Sequence, residues 1–169
     1  GKGLLFHLDH HAEISTKNGR KFVTLARGFK GADRVVAVQP LFGPHLRVCL
    51  ATEQGRALVF LADQLKLLQG TGKGVNAIRL AEGDGVLDFA LTDRRSKGLV
   101  VETSRGREAR ITERRYSLVK RGGRGIEIIK RGTLKALLKE PVVQDACAGE
   151  EHGEPSDDEL DALEEEPLG

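Results

Sequence analysis

Arg47 to Ala62 reads RVCLATEQGRALVFLA, two apolar runs rich in Val and Leu separated by the polar tetrapeptide EQGR. Glycine supplies the positive φ of a tight turn, so the stretch predicts an antiparallel β-hairpin. Gly98 to Ile111, GLVVETSRGREARI, repeats the arrangement. VVAVQP (35–40) and GVLDFAL (85–91) supply an apolar strand before each hairpin. No segment before Lys130 sustains an apolar 3.6-residue period for three turns, although LADQLKLL (61–68) is compatible with one or two. The chain reads as all-β.

These strands recur at a fixed interval. Val35-Val36-Ala37-Val38 aligns with Val86-Leu87-Asp88-Phe89 at an offset of 51, and TEQGRALV aligns with TSRGREAR at the same offset, Gly55 on Gly106 and Arg56 on Arg107. GKGVNAI (72–78) becomes GRGIEII (123–129), with Gly72, Lys73, Gly74 and Ile78 matched by Gly123, Arg124, Gly125 and Ile129. A fainter copy, NGRKFVTL (18–25), lies 53 residues earlier and puts Gly19-Arg20 in the place of Gly72-Lys73. Repeats of about 40 to 50 residues and about four strands are the pattern of propeller blades. The expected architecture is blade-like, with about three units near 1–30, 31–81 and 82–139.

The segment LQGTGKGVNAIRL (68–80) raises the alternative of a nucleotide-binding loop. A Walker-type loop needs Gly, four residues, then Gly-Lys-Ser/Thr, because amides cradle phosphate and the hydroxyl holds magnesium. Here Gly74 follows Lys73, and Leu67 stands where the first glycine belongs. VNAIRL reads as a strand, so the helix N-terminus that such a loop exploits is missing. A basic turn is the better reading.

The net charge of +2 conceals a division. Glu150 to Gly169 holds ten acidic residues and no basic one, leaving all 27 Lys and Arg against 15 acids in the preceding 149 residues. A basic folded body with an acidic appendage points to a polyanion, nucleic acid first, with an Arg-rich solvated surface as the plain alternative. The sequence contains no Met, which leads us to expect a piece of a longer protein. It has no apolar run of transmembrane length and no signal segment. Two cysteines are too few for a disulfide framework, and Cys49 and Cys147 are read as free thiols in a reducing cytoplasm.

The blade repeat and the glycine-basic boxes together resemble the C-terminal domain of the A subunit of bacterial type IIA topoisomerases, gyrase and topoisomerase IV. In that family the blades form a β-pinwheel, in which neighbouring blades exchange a strand, and gyrase carries the signature Q-R-R-G-G-K-G, used in wrapping DNA around the outer rim. Val119 to Gly125, VKRGGRG, matches it in all but the first residue if Lys and Arg exchange, and LQGTGKG (68–74) keeps the Gly-Lys-Gly end. The better match lies in the last unit, whereas the gyrase signature belongs to the first blade. Degenerate boxes and few blades look more similar to topoisomerase IV. The resemblance covers roughly residues 14 to 143, and implies a domain of residues 1–143 followed by an acidic tail of 144–169.

A duplex offers a dense row of phosphates, so Lys and Arg repeated once per blade on one edge track a bent backbone. The candidates are Arg20, Lys21, Arg27 and Lys30 in the faint first copy, and Lys73 and Arg79 in the second box. Lys120, Arg121, Arg124, Lys130 and Arg131 belong to the third, and Arg56 and Arg107 follow the hairpin glycines. The motif glycines Gly72, Gly74, Gly122, Gly123 and Gly125 are expected to allow close approach and to leave amides free for the contact. Aromatic residues make up 4% of the chain and none interleaves with the boxes, so base stacking on single strands is not expected. Binding should be to double-stranded DNA through backbone and curvature.

HLDHH (7–11) offers metal-binding residue types but no second ligand cluster of known spacing. Tyr116 is the only tyrosine; the family's DNA-cutting tyrosine lies in another domain, and Tyr116 beside Arg114 and Arg115 reads as a rim or packing residue. No Ser-His-Asp or Cys-His context suggests hydrolysis. The chain by itself is expected to be no enzyme and to carry no cofactor or metal, in a cytoplasmic, nucleoid-associated setting. The expected protein partners are the remainder of the topoisomerase A subunit, together with its ATPase partner subunit, and no membrane. The tail, ACAGEEHGEPSDDELDALEEEPLG, is polar enough to predict disorder. One island, Ser156 with Glu159 as a capping box before Leu160 and Leu163, favours a short helix. The tail either competes with DNA for the basic rim, solubilises the chain or docks on a partner.

Two functions of different class remain: a DNA-binding and DNA-bending module, or a propeller-like scaffold for protein partners. Box residues sharing one continuous rim favour the first. Scattered boxes beside an exposed apolar patch favour the second.

Overall fold

A computed structural model describes residues 1–12, 19–26, 33–43, 45–93 and 97–136. All of them belong to one unit, Gly1–Leu137. The acidic tail, Cys147 included, lies outside the described residues.

The strands in chain order are β1 (Lys2–Gly3), β2 (Leu5–Phe6), β3 (Arg47–Thr52), β4 (Arg56–Leu61), β5 (Leu67–Leu68), β6 (Val75–Asn76), β7 (Val86–Thr92), β8 (Leu99–Thr103), β9 (Glu108–Ile111), β10 (Ile126–Glu127) and β11 (Leu134–Ala136). One helical turn, α1 (Asp9–Ala12), and a 3-10 turn at Ala62–Gln64 are the helical elements described. The 3-10 turn is all that LADQLKLL makes of its helical pattern.

The expected hairpins form. β3 pairs antiparallel with β4, from Arg47 opposite Leu61 to Ala51 opposite Ala57, and β8 pairs with β9 in the same way. Their turns are built alike. Gly55 has φ of 87° and Gly106 has φ of 74°, and each donates its amide to the carbonyl of the threonine three residues back. That threonine's hydroxyl accepts from the amide after the glycine, Arg56 or Arg107, at 3.1 Å. The Thr-x-x-Gly-Arg pattern is therefore a turn-closing device.

Sheets take strands from successive repeats. The largest runs β10-β4-β3-β7, so the hairpin β3–β4 is flanked by strands that come later in the chain. A three-stranded sheet runs β11-β8-β9, and β1–β6 and β2–β5 form two short pairs. Strand exchange of this kind is what a pinwheel requires, and the fold is all-β as expected. VVAVQP differs from expectation: residues 33–43 carry no strand. Among the described residues no strand pairs with them, and a ladder cannot exist on one side only.

The hairpin is buried on both faces, which is why it reads as continuous apolar sequence rather than as alternation. Cys49, Ala51, Ala57 and Val59 pack with Leu99, Val101, Ile111 and Leu134 of the following repeat. Val48, Leu50, Leu58 and Phe60 pack on the opposite face with Ala62, Ala77 and Ile78. Each fully buried Val, Leu or Phe contributes about 1.5–3 kcal/mol, so the hairpin holds two clusters at once. Cys49 is part of this core: its Sγ lies 3.4 Å from Thr92 Oγ1, and burial pushes its thiol pKa up, opposite to what a reactive cysteine needs. At the strand start Arg47 is nearly buried, its Nε donating to Glu113 Oε2 at 2.6 Å and a guanidinium nitrogen donating to His45 O at 2.6 Å.

Glycines of the boxes seal one repeat to the next. Gly125 has φ of 72°, and a Cβ there would lie 2.7 Å from Ala57 O on β4. Gly74 has φ of 70°, and its Cβ would lie 2.6 Å from Gly3 O on β1. In both boxes the last glycine is pressed against the backbone of the preceding repeat, where no side chain fits. Gly122 N donates to Ala77 O at 2.7 Å and Arg79 N to Gly123 O at 2.8 Å. Arg121 donates from Nε to Gln64 O at 2.7 Å and from its guanidinium terminus to Asn76 O at 2.9 Å, while its amide donates to Gln64 Oε1.

These contacts set the expected response to substitution. Gly125→Ala should lower stability by well over about 1 kcal/mol in urea unfolding, since it adds positive-φ strain to a backbone clash, whereas Gly70→Ala, with nothing within 4 Å of its Cβ position, should leave the midpoint nearly unchanged. Glu113→Ala leaves the Arg47 guanidinium with His45 O but without its ionic partner and should cost about 1–3 kcal/mol, read from the same urea curves.

Candidate nucleic-acid interface

The three boxes lie next to one another. Thr71 Oγ1 donates to Lys21 O at 2.6 Å, Thr24 N donates to Gly72 O at 2.9 Å, and Val23 and Gly72 form a parallel bridge, joining the first box to the second. A shallow cavity between these two boxes is lined in part by Arg20, Lys21, Gln69 and Gly70. The third box, 119–125, meets the strand that leaves the second: Gly122 on Ala77, Gly123 on Arg79, Arg121 on Asn76. Each contact is between backbone groups or a side chain and a carbonyl, so the spacing of the boxes is set by the fold rather than by flexible side chains. The boxes form one row.

The expected basic residues fall into distinct groups. Arg20, Lys21, Lys73, Arg79, Lys120 and Arg124 are exposed or half-buried along the row. Arg107, Lys130 and Arg131 are exposed outside the boxes, Arg107 in the β8–β9 connection and Lys130-Arg131 between Ile128, whose amide donates to Gly55 O at 2.9 Å, and Thr133, whose carbonyl accepts from Ser104 N at 2.9 Å. Arg27 and Lys30 lie outside the described residues. Arg121 and Arg56 are engaged inside the protein, Arg56 through a guanidinium nitrogen donating to Gly125 O at 3.2 Å. Each of these two arginines thus ties one repeat to the next, and each guanidinium has further N–H donors beyond those the carbonyls use.

The glycines also differ from expectation. Gly122 N is occupied by Ala77 O, and Gly74 and Gly125 face the preceding strand. The close approach they permit is between repeats, and the cationic residues beside them are what remains outward. Sequence reasoning missed Gln64 and Asn76, the acceptors of Arg121. Nothing in their own repeats marks them, since the pairing partner sits some 50 residues away.

Tyr116 is half-buried against the core of the third repeat, so of the two expected roles it takes packing. Among the described residues no group of three or more His, Cys, Asp or Glu could hold a metal ion. No helix there is long and apolar enough to cross a membrane. Val35, Val36, Val38, Leu41 and Phe42 form an exposed apolar stretch.

Known proteins resemble the chain. The gyrase A protein of two strains of Staphylococcus epidermidis is 32% identical over 114 residues, covering 66% of this chain, which spans 12% of the length of those relatives. A crystal structure of the C-terminal domain of DNA topoisomerase IV superposes with a TM-score of 0.54 at 26% identity, over 63% of this chain and 34% of that one. Sequence thus leads to gyrase and structure to topoisomerase IV. The family described as DNA gyrase C-terminal domain, beta-propeller, matches residues 47–93 and 99–136, the two hairpins with their flanking strands and the third box. On that match, joined to the strand-exchanged sheets, the chain belongs to the DNA gyrase C-terminal domain family.

Proposed function

We propose that this domain is a non-catalytic duplex-binding module of a type IIA topoisomerase, which bends DNA along its row of boxes and presents it to the strand-passage core. The observation that carries the reading is the contiguity of the boxes, linked by hydrogen bonds from Thr71 to Lys21 and from Gly122 to Ala77. Six cations along that row, Arg20, Lys21, Lys73, Arg79, Lys120 and Arg124, suit a phosphate backbone read by charge and shape. Scattered boxes would have favoured the scaffold.

In this reading the remainder of the A subunit, with its ATPase partner, supplies the chemistry in a cytoplasmic, nucleoid-associated setting. No cofactor is assigned to the domain. The acidic tail competes with DNA for the row, the ten acidic side chains of Glu150 to Gly169 acting as an internal polyanion.

Duplex affinity measured against salt concentration tests this. The full chain should show a steep loss, with each phosphate contact contributing about −0.9 to the log–log slope, and Lys73→Ala and Lys120→Ala should each flatten the slope by about that amount. A chain ending at Val143 should bind more tightly at low salt. No binding by either chain at low salt would overturn the DNA reading, and equal binding by both would reduce the tail to a solubility device.

A further inference from the structure

The second and third boxes meet the preceding repeat differently. At the offset of 51, Gly70 of the second box stands where Arg121 stands in the third. The Arg121 guanidinium reaches the preceding repeat and donates to Gln64 O and Asn76 O. Gly70 has no side chain to do this, and nothing lies within 4 Å of where its Cβ would be. Here, between the first and second boxes, Gly70 forms part of the wall of the shallow cavity, about 210 Å³ in volume.

The lining is of two kinds. Phe6 and Leu68 are register partners in the parallel pair β2–β5, so their side chains stand side by side on one face of it. The His11 ring joins them in a T-shaped contact with Phe6, at a centroid distance of 5.2 Å and 82°. Phe22 stacks on Phe6 at 5.2 Å and 29°, which fixes the ring. Phe6 and His11 lie outside the boxes in sequence, and β2 and α1 bring them to the first box. Arg20, Lys21 and Gln69 supply polar groups to the same cavity, and among the described residues no carboxylate lines it.

That combination selects a ligand chemistry. An arginine beside a lysine calls for an anion, phosphate above all, because the guanidinium forks onto its oxygens. An aromatic and apolar wall calls for a flat group of low polarity, which inorganic phosphate lacks. The Gln69 amide carries both donors and an acceptor, as the edge of a nucleobase does. The volume falls below the roughly 300–1,000 Å³ of pockets that enclose a drug-sized molecule, which limits the occupant to one small unit.

We propose that this cavity binds a single nucleotide unit, its phosphate on Arg20 and Lys21 and its base against Phe6, His11 and Leu68. The unit is a free nucleoside monophosphate or one unpaired nucleotide of a DNA strand, which present the same phosphate and base. The site stands on the cavity itself. One consequence rests on the duplex-binding reading: Arg20 and Lys21 also belong to the row, so an occupied cavity lowers duplex affinity.

The test titrates the full chain with adenosine monophosphate, adenosine and inorganic phosphate, and follows the ring protons of His11 by NMR with those of His45 as reference. Adenosine monophosphate should shift His11 saturably and leave His45 unmoved, while adenosine and phosphate should each bind about tenfold or more weakly. Gly70→Arg, which places an Arg121-like side chain in the cavity, should abolish the shift without lowering the urea midpoint or duplex affinity. Lys21→Gln, at an exposed side chain, should weaken nucleotide binding about tenfold. A duplex with one unpaired terminal nucleotide, compared with the same duplex blunt-ended, separates the sources: a His11 shift specific to the unpaired nucleotide, without one from the monophosphate, assigns the site to DNA. No shift with either ligand, inorganic phosphate binding as tightly as the nucleotide, or an unchanged shift in a folded Gly70→Arg chain would overturn the proposal. A chain that binds duplex but neither nucleotide ligand fails this proposal alone, and one that binds the monophosphate but no duplex contradicts only the duplex reading.

Discussion

A glycine pressed against a carbonyl of the preceding repeat is the constraint on which the rest depends. Gly74 meets Gly3 O and Gly125 meets Ala57 O, each at a positive φ that other residues resist. Without those contacts β6 and β10 could not pair with β1 and β4, and the strand exchange that links repeats would fail. The double-sided burial of β3 and β4 then follows, because following strands bring Leu99, Val101 and Ile111 to one face while Ala77 and Ile78 cover the other. Local turn chemistry makes the hairpin, and the glycine contacts make the array.

The same constraint orders the basic residues. With Gly122, Gly125 and Arg121 turned toward the preceding repeat, the third box leaves Val119, Lys120 and Arg124 as its exposed side chains. Arg121 ties Gln64 and Asn76 to the box. A box of this kind is a joint and a cationic projection together. Spacing between projections is then inherited from the pitch between repeats.

Much of this was legible in the sequence. The hairpins, the turn glycines Gly55 and Gly106, the interval of 51 and the all-β class follow from apolar runs and punctuation that act locally. The function of Arg121 was not legible, since a Lys/Arg pattern does not say which guanidinium finds a carbonyl. VVAVQP has the composition of a strand, but a strand exists only with a partner, and composition is silent on that. β1 pairs with β6, Lys2 opposite Asn76, as β4 pairs with β10, Arg56 opposite Glu127, and a three-residue shift in the interval hid that likeness from the sequence.

The central claim is that neighbouring boxes act as one surface on a duplex. Lysine acetylation footprinting of the full chain, with and without a duplex long enough to span the row, tests it most directly. The account predicts that Lys21, Lys73 and Lys120 lose reactivity together when DNA is added. Protection of one box alone, or reactivity unchanged at all three while the duplex is bound, would contradict it.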